Sequence, residues 1–594
     1  MTGSSDLSAP SPGRVPPVAP GRIARARGFI RDVCSTRLDK SGFRLRLIGL
    51  AFLCVYGLID GKLIKLGLSK EAPAGLKAAA SDAVSGARPE LLDRNGGVLA
   101  QDIKTMSVFA EPRRLIDKDE AVELLSAVLP DLDATDLRKR LGSKKGFVWV
   151  KRGVTDKQQQ EVFRLGLPGV GFLPENKRIY PNGPVGAHVL GFTNTDNQGI
   201  AGIEKWVDNQ GLGDLKGAGF DVTPQDLKPI SLSLDTKATY AVRDELIKGI
   251  ARFKAAAGSA AIMDVNTGEM IAYVSLPDYD PNNPVDALKP DHINRLNVGT
   301  YEMGSTFKAI SIAMALELNK VTLRSTVDAR DNLRYGRFTI HDFHATHRIL
   351  TVPEVFIHSS NIGTARMVMM VGVDGHKTFL RKMGQLTRLQ TELPETAMPQ
   401  IPAHWGELNS MTIAFGQGLN VTPLQAMMAV GALANGGYEI TPTFLKRDKP
   451  DARDESQRVI RPEVSESLRY LMRVNATLGS AKKIDIPGYF AGGKTGTADK
   501  LIHGHYSNDR VNTTFMSIVP ADKPKYLFFV MMEDPQAAEG TYGYHTAAWN
   551  SGEVCGKIME RIAPLLNLPP NLDLPTAPFP TVAKLGIGMD TVLR

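Results

Sequence analysis

At 594 residues, 43% apolar and 23% charged, the chain has an ordinary globular balance, with room for about four domains of ~150 residues; it is not mainly disordered, collagen-like or a multi-span membrane protein. Three cysteines exclude a disulfide scaffold. The net charge of +8 is concentrated in residues 1–46, which hold nine Arg/Lys and three Asp; the nearly neutral remainder lacks the basic face that a nucleic-acid partner requires.

Residues 1–44 are expected to form a disordered basic tail, Pro-rich over 8–20. Arg22, Arg25, Arg27, Arg31, Arg37, Lys40, Arg44 and Arg46 lead into an apolar run, Leu47–Ile59. Alone the run is short for a span; extended over 45–68 it reaches spanning length but takes in Asp60, Lys62 and Lys65. The lysines can snorkel, whereas Asp60 has no such escape. A cleaved signal needs small residues close behind its core, and the Ala78–Ala80 stretch is too distant. The one-sided Arg flank therefore predicts a single transmembrane helix with a cytoplasmic N-terminus. Of Cys34, Cys54 and Cys555, only the last falls in the exported part.

Residues 69–87 are small and polar, as in a linker. Residues 88–228 alternate β-like runs (VLAQDI, MSVFAEP, FVWVKRG) with helical pieces at Lys118–Val128 and Asp156–Leu165, which predicts an α+β module. A second domain is expected over 229–568, leaving 569–594 as a C-terminal tail. It opens with a long helix, Asp235–Phe253, and a hairpin turning at Asn266-Thr267-Gly268. Helices dominate the middle, strands return at FAGGKTGTA, VNTTFMSIVP and KYLFFVMM, and a helix near Trp549–Leu566 closes the domain. The pattern predicts an α+β fold with one antiparallel sheet flanked by helices, built from distant parts of the chain.

Three short motifs lie in this domain. Ser305-Thr306-Phe307-Lys308 is an S-x-x-K before a strongly periodic helical run. A serine becomes a good nucleophile only when a base takes its proton, and an amine at i+3 with a lowered pKa can do so. The motif recurs at Ser480-Ala481-Lys482-Lys483, in a polar loop-like stretch read as incidental, so S-x-x-K by itself does not identify a site. Ser359-Ser360-Asn361 is an S-x-N, a pattern that by itself usually marks a helix cap or turn. Lys494-Thr495-Gly496 is a K-T-G amid small residues, which suits an edge strand closely approached by a ligand backbone. Their order within one predicted domain makes the combination specific.

With these motifs the sequence resembles the class B penicillin-binding proteins. Arg88-Pro-Glu-Leu-Leu-Asp-Arg-Asn-Gly96, Arg178-Ile-Tyr-Pro181, Ala187-His188-Val-Leu-Gly-Phe192 and Gly202-Ile203-Glu204 are similar to the pedestal patterns of that family; Phe415-Gly-Gln-Gly418 and Val421-Thr-Pro-Leu-Gln425 resemble its transpeptidase domain. Pro89 and Met303 depart from the usual Gly and Pro. The resemblance implies a pedestal (dimerisation-type) module over 88–228 and a penicillin-binding transpeptidase domain over 229–568. It implies Ser305 as the nucleophile on the D-Ala–D-Ala bond of a cell-wall stem peptide, Lys308 as base, Ser359 as proton relay, and Asn361 as an orienter of Lys308 and the substrate amide. Lys494 would supply positive charge, Thr495 and Thr497 would bind the terminal carboxylate beside Gly496, and the N–H groups of Ser305 and Thr497 would form an oxyanion hole.

The implied partners are peptidoglycan stem peptides, β-lactam antibiotics, the membrane, a polytopic glycosyltransferase and other division proteins, and not nucleic acid. The implied location is the inner membrane, with the catalytic domain periplasmic. No metal or cofactor is expected: His503 and His505 read as solvated loop residues, and His188 as a structural hydrogen-bonder. Within the family, the compact pedestal, YEMGSTFK and the Tyr-His-Thr-Ala-Ala-Trp stretch lean toward the septal branch; an elongation enzyme is the alternative, and a β-lactam sensor or division scaffold is a reading of a different class.

Overall fold

A computed structural model describes residues 48–57, 59–62, 87–212, 227–502, 504–573 and 578–586. Residues 48–57 and 59–62 are helical and exposed, and no helix among the described residues is long and apolar enough to cross a membrane. Much of the predicted span, including 45–47 and 63–68, and the predicted 69–87 linker up to residue 86 lie outside the described residues.

The N-terminal module is built on a five-stranded sheet: β1 (Leu91–Leu92), β2 (Val98–Ala110), β3 (Val148–Val154), β4 (Val170–Ile179) and β5 (Ile230–Ser231). The short β1 is bracketed by β2, antiparallel, and β5, parallel. The sheet thus takes a strand from beyond residue 228, and the module grades into the next domain. Three of the four stretches that resemble pedestal patterns, those holding Arg88, Arg178 and Glu204, meet in one buried ion cluster. Arg88 pairs with Glu204 at 2.6 Å and Asp208 at 2.7 Å; Arg178 pairs with Glu204 at 2.7 Å and Asp102 at 3.1 Å. Glu204 is wholly buried, and two guanidiniums hold its carboxyl below the usual range against the opposing effect of burial. Asp93 accepts from the backbone N–H groups of Asn95 and Gly97 and from the Thr236 hydroxyl at 2.7 Å, which ties the module to the start of the Thr236–Phe253 helix.

The second domain is organised by a sheet of order β12-β13-β14-β6-β7, antiparallel throughout: β6 (Ala257–Asp264), β7 (Met270–Leu276), β12 (Gly492–Ile502), β13 (His505–Val519) and β14 (Tyr526–Glu533). Four three-residue strands, β8 (Thr326–Asp328), β9 (Leu333–Tyr335), β10 (Phe338–Ile340) and β11 (Ile349–Thr351), form two small ribbons between its halves. Alternation along β14 feeds two cores: Leu527, Phe529 and Met531 join the helix-rich side, while Phe528, Val530 and Met532 pack with the Thr236–Phe253 and Ser551–Ile562 helices. Distant segments therefore make one sheet covered on both faces, as the sequence predicts. Asp235 caps its helix by accepting from the N–H of Ala238. The expected C-terminal tail contains a docked piece: Phe579 and Val582 are buried, and Glu466 accepts from Thr581 and Val582.

Candidate active site

Ser305 lies in a one-turn 3-10 helix, Gly304–Phe307, that runs into the α-helix Lys308–Glu317. The sequence predicts a helix N-terminus here; the tighter turn has the same consequence, because side chains at i and i+3 eclipse in a 3-10 helix and Lys308 stands over Ser305. Ala309 to Leu316 are all buried, so this helix is the hub of the domain rather than an amphipathic surface helix. Ser305 itself is half-buried, and its hydroxyl makes no hydrogen bond among the described residues.

Ser359 occupies the left-handed region at φ 54°, just before the Asn361–Val371 helix. Both lysines converge on it. Lys308 Nζ donates to the Ser359 carbonyl and, at 3.1 Å, to Ser359 Oγ; Lys494 Nζ donates to the same Oγ at 3.1 Å and to Thr495 O at 3.0 Å. The two lysines are almost wholly buried. Burial, and then the neighbouring Lys494 charge, drive Lys308 well below the usual lysine range; Asp342 opposes the shift. Burial pushes Lys494 down to about 7.

A neutral amine has two N–H groups and one lone pair. Both N–H groups of Lys308 are spent on Ser359, which leaves its lone pair free to accept a proton. Ser359 Oγ accepts from both lysines, so its own O–H is left to point elsewhere, as a proton donor must.

Lys494, Thr495 and Gly496 lie on β12, the sheet's edge strand, as expected. Gly496 is required there: a Cβ would come within 2.4 Å of Thr514 Oγ1 and 2.5 Å of Met303 O, in the nucleophile's own lead-in. Gly304 (φ +55°) backs onto Thr497 closely enough that a Cβ would lie 2.7 Å from Thr497 O and 3.0 Å from Thr497 N. The Ser305 and Thr497 peptides are thereby brought side by side, the arrangement an oxyanion hole needs. Thr497 Oγ1 accepts from the Ala547 N–H at 3.2 Å, which leaves its hydroxyl hydrogen for a carboxylate.

Some residues differ from expectation. Asn361 Nδ2 donates to His341 O at 3.0 Å, and no hydrogen bond joins its side chain to Lys308. Ser480, read as incidental, reaches the site: its hydroxyl is 2.7 Å from Thr495 Oγ1. Its motif partner Lys483 instead sits over the Trp549 ring. Asp342 carries no motif signal, yet it accepts from Ser360 Oγ at 2.7 Å and from the Ile362 N–H at 3.0 Å, holding the turn that presents Ser359. His188 is half-buried edge-on against Tyr279, and desolvation lowers its pKa to about 4. His505 is exposed, and His503 lies outside the described residues.

Comparison with known proteins agrees with this geometry. The penicillin binding protein transpeptidase domain matches residues 258–560, and the penicillin-binding protein dimerisation domain matches residues 83–210. A probable peptidoglycan D,D-transpeptidase FtsI of Caulobacter vibrioides is 35% identical over 83% of this chain and 84% of its own length. The peptidoglycan D,D-transpeptidase FtsI of Escherichia coli is 30% identical over 82% and 85%. The crystal structure of a peptidoglycan synthetase from Bifidobacterium adolescentis superposes with a TM-score of 0.63 at 21% identity, covering 83% of this chain and 98% of that one, and shares the fold. With both domains matched and its serine–lysine site assembled, the chain belongs to the penicillin-binding proteins, as a class B member of the FtsI type.

Proposed function

We propose that this chain is a peptidoglycan D,D-transpeptidase working through a Ser305 acyl-enzyme in septal wall synthesis. The observation that carries this is the convergence of Lys308 and Lys494 on the Ser359 hydroxyl, which leaves one lone pair of Lys308 and the Ser359 O–H unspent, three and 54 positions from Ser305 in sequence. Lys308 takes the Ser305 proton as Oγ bonds to the carbonyl carbon of the penultimate D-Ala. The oxyanion is held by the Ser305 and Thr497 N–H groups, a contribution of ~3–4 kcal/mol per donor in comparable acyl transfers. The C–N bond then breaks, the Ser359 O–H protonates the departing D-Ala amine, and the lysines restore the Ser359 proton. An acceptor amine attacks the ester, Ser305 regains its proton, and a cross-link results. Asn361 is open to the substrate amide, and the hydroxyls of Thr495 and Thr497 receive the terminal carboxylate.

An inner-membrane anchor at 45–68 with a periplasmic catalytic domain completes the reading; the one-sided Arg flank supports it. Partners of this reading are a polytopic glycosyltransferase and other division proteins. The test is depletion of the native protein in cells expressing Ser305→Ala at equal level. Filaments with reduced cross-linking are expected. Round cells would favour an elongation role, and normal growth with normal cross-linking would overturn the enzymatic reading.

A further inference from the structure

The end of the β12–β13 hairpin is poorly held by its own ladder. Asp499 pairs with Val511, but Leu501 already pairs with Tyr506, so residues 507–510 fall outside the register. Leu501 and Tyr506 are 63% and 47% exposed, so little packing fixes them. Two polar ties remain. On one side Lys500 and Arg510 reach Asp534, and Lys500 also reaches Glu533, at the end of β14. On the other, Tyr506 OH donates at 2.8 Å to Oε1 of Glu302, three residues before the nucleophile.

The same Glu302 oxygen accepts from the Gly418 N–H at 2.6 Å. That loop in turn backs the nucleophile, since the Gly304 N–H donates to Gly416 O at 3.2 Å. Glu302 Oε2 is buried without a hydrogen-bond partner, and burial raises the carboxyl above its usual range. A half-satisfied buried carboxylate is costly, which marks a group kept for position rather than for stability.

We infer that Glu302 is a positioning residue: it clamps the hairpin end and the Gly416–Gly418 loop to the nucleophile turn and so sets the Thr497 N–H against Ser305. The other end of β12 is anchored independently. Asn475 Nδ2 donates to Gly493 O at 2.8 Å, and Ser480 bonds Thr495. Loss of the clamp therefore disturbs the Thr497 oxyanion donor, while the Thr495 side of the carboxylate subsite stays anchored. Non-covalent binding survives while the acylation step slows. This rests on the acyl-enzyme reading, so wild type and Ser305→Ala serve as controls; an unlabelled wild type would sink that reading, not the clamp.

The test is stopped-flow acylation of the full chain in detergent by a fluorescent β-lactam, resolved into a binding constant and an acylation rate. Glu302→Ala should slow acylation about tenfold or more with binding changed by less than about threefold. Glu302→Gln keeps an oxygen that accepts both bonds and should stay within about threefold of wild type. Tyr506→Phe should lose part of the effect, and the double variant with Glu302→Ala should be no worse than Glu302→Ala alone. Equal rates for Glu302→Ala and wild type, Gln as slow as Ala, or additive losses in the double variant would each overturn the clamp. A drop in active-site titre that accounts for the whole loss would overturn it too.

Discussion

At the residue scale, the site is one of proton placement. Lys308 must be neutral to act, so acylation falls as acid protonates it. Lys308→Ala and Lys308→Arg should both abolish acylation with the melting transition retained, since guanidinium stays charged at any working pH; substantial acylation by the Arg variant, measured with labelled β-lactam, would show another base. Asp342 gives a signed test. Its charge opposes the depression of Lys308, so its removal lets the lysine fall further. Asp342→Asn should move the acid limb of the acylation–pH profile to lower pH while slowing the plateau through the disturbed Ser360 turn. An acid limb that moves up would contradict the assignment. Ser305, Lys308, Ser359 and Lys494 were legible because few residue types do this chemistry and their motif spacing is fixed. Asp342, Glu302 and Ser480 were not, because they act through contacts 15 to 204 positions away in sequence, which no local pattern marks.

At the element scale, β12 does two jobs. It is an edge strand open to a substrate backbone, and it packs without side chain against the nucleophile turn at Gly496. Gly496→Ala would force a methyl onto Met303 O and Thr514 Oγ1, parting strand from turn. We expect a loss of about a hundredfold or more in acylation rate, because small displacements of reacting groups cost that much, and a melting temperature lowered by overpacking of about 1–3 kcal/mol. Wild-type kinetics in that variant would show that the close approach is not needed. The sequence predicts this strand, the Asn266–Gly268 hairpin and the Asp235 helix start because each carries local signals: small residues, a turn and a cap. It reads the nucleophile segment as the start of an α-helix, since four residues are too few to tell a period of 3.0 from one of 3.6. Nor does it show the Leu501–Tyr506 register, which is set by ties to Glu302 and Asp534 rather than by alternation.

At the scale of the whole molecule, three of the pedestal's sequence patterns supply Arg88, Arg178 and Glu204 to one buried ion cluster, and the pedestal shares strands and caps with the catalytic domain. Removing one member strands its partners in a dry interior. Glu204→Ala leaves Arg88 and Arg178 without their shared carboxylate and should cost about 3–5 kcal/mol of stability. Denaturant unfolding checks this; a change below about 1 kcal/mol would mean that water reaches the cluster. Fold class and sheet composition were legible because apolar runs alternate in the right places. The sharing of β5 between the modules was not, since a two-residue strand leaves no period to read.

The claim on which everything rests is that Ser305 carries the acyl group. Incubating the purified chain with a labelled β-lactam and mapping the modified peptide by mass spectrometry tests it directly. A single adduct is expected on the peptide holding Ser305, absent from Ser305→Ala. An adduct on Ser480, or none on a folded protein, would contradict it.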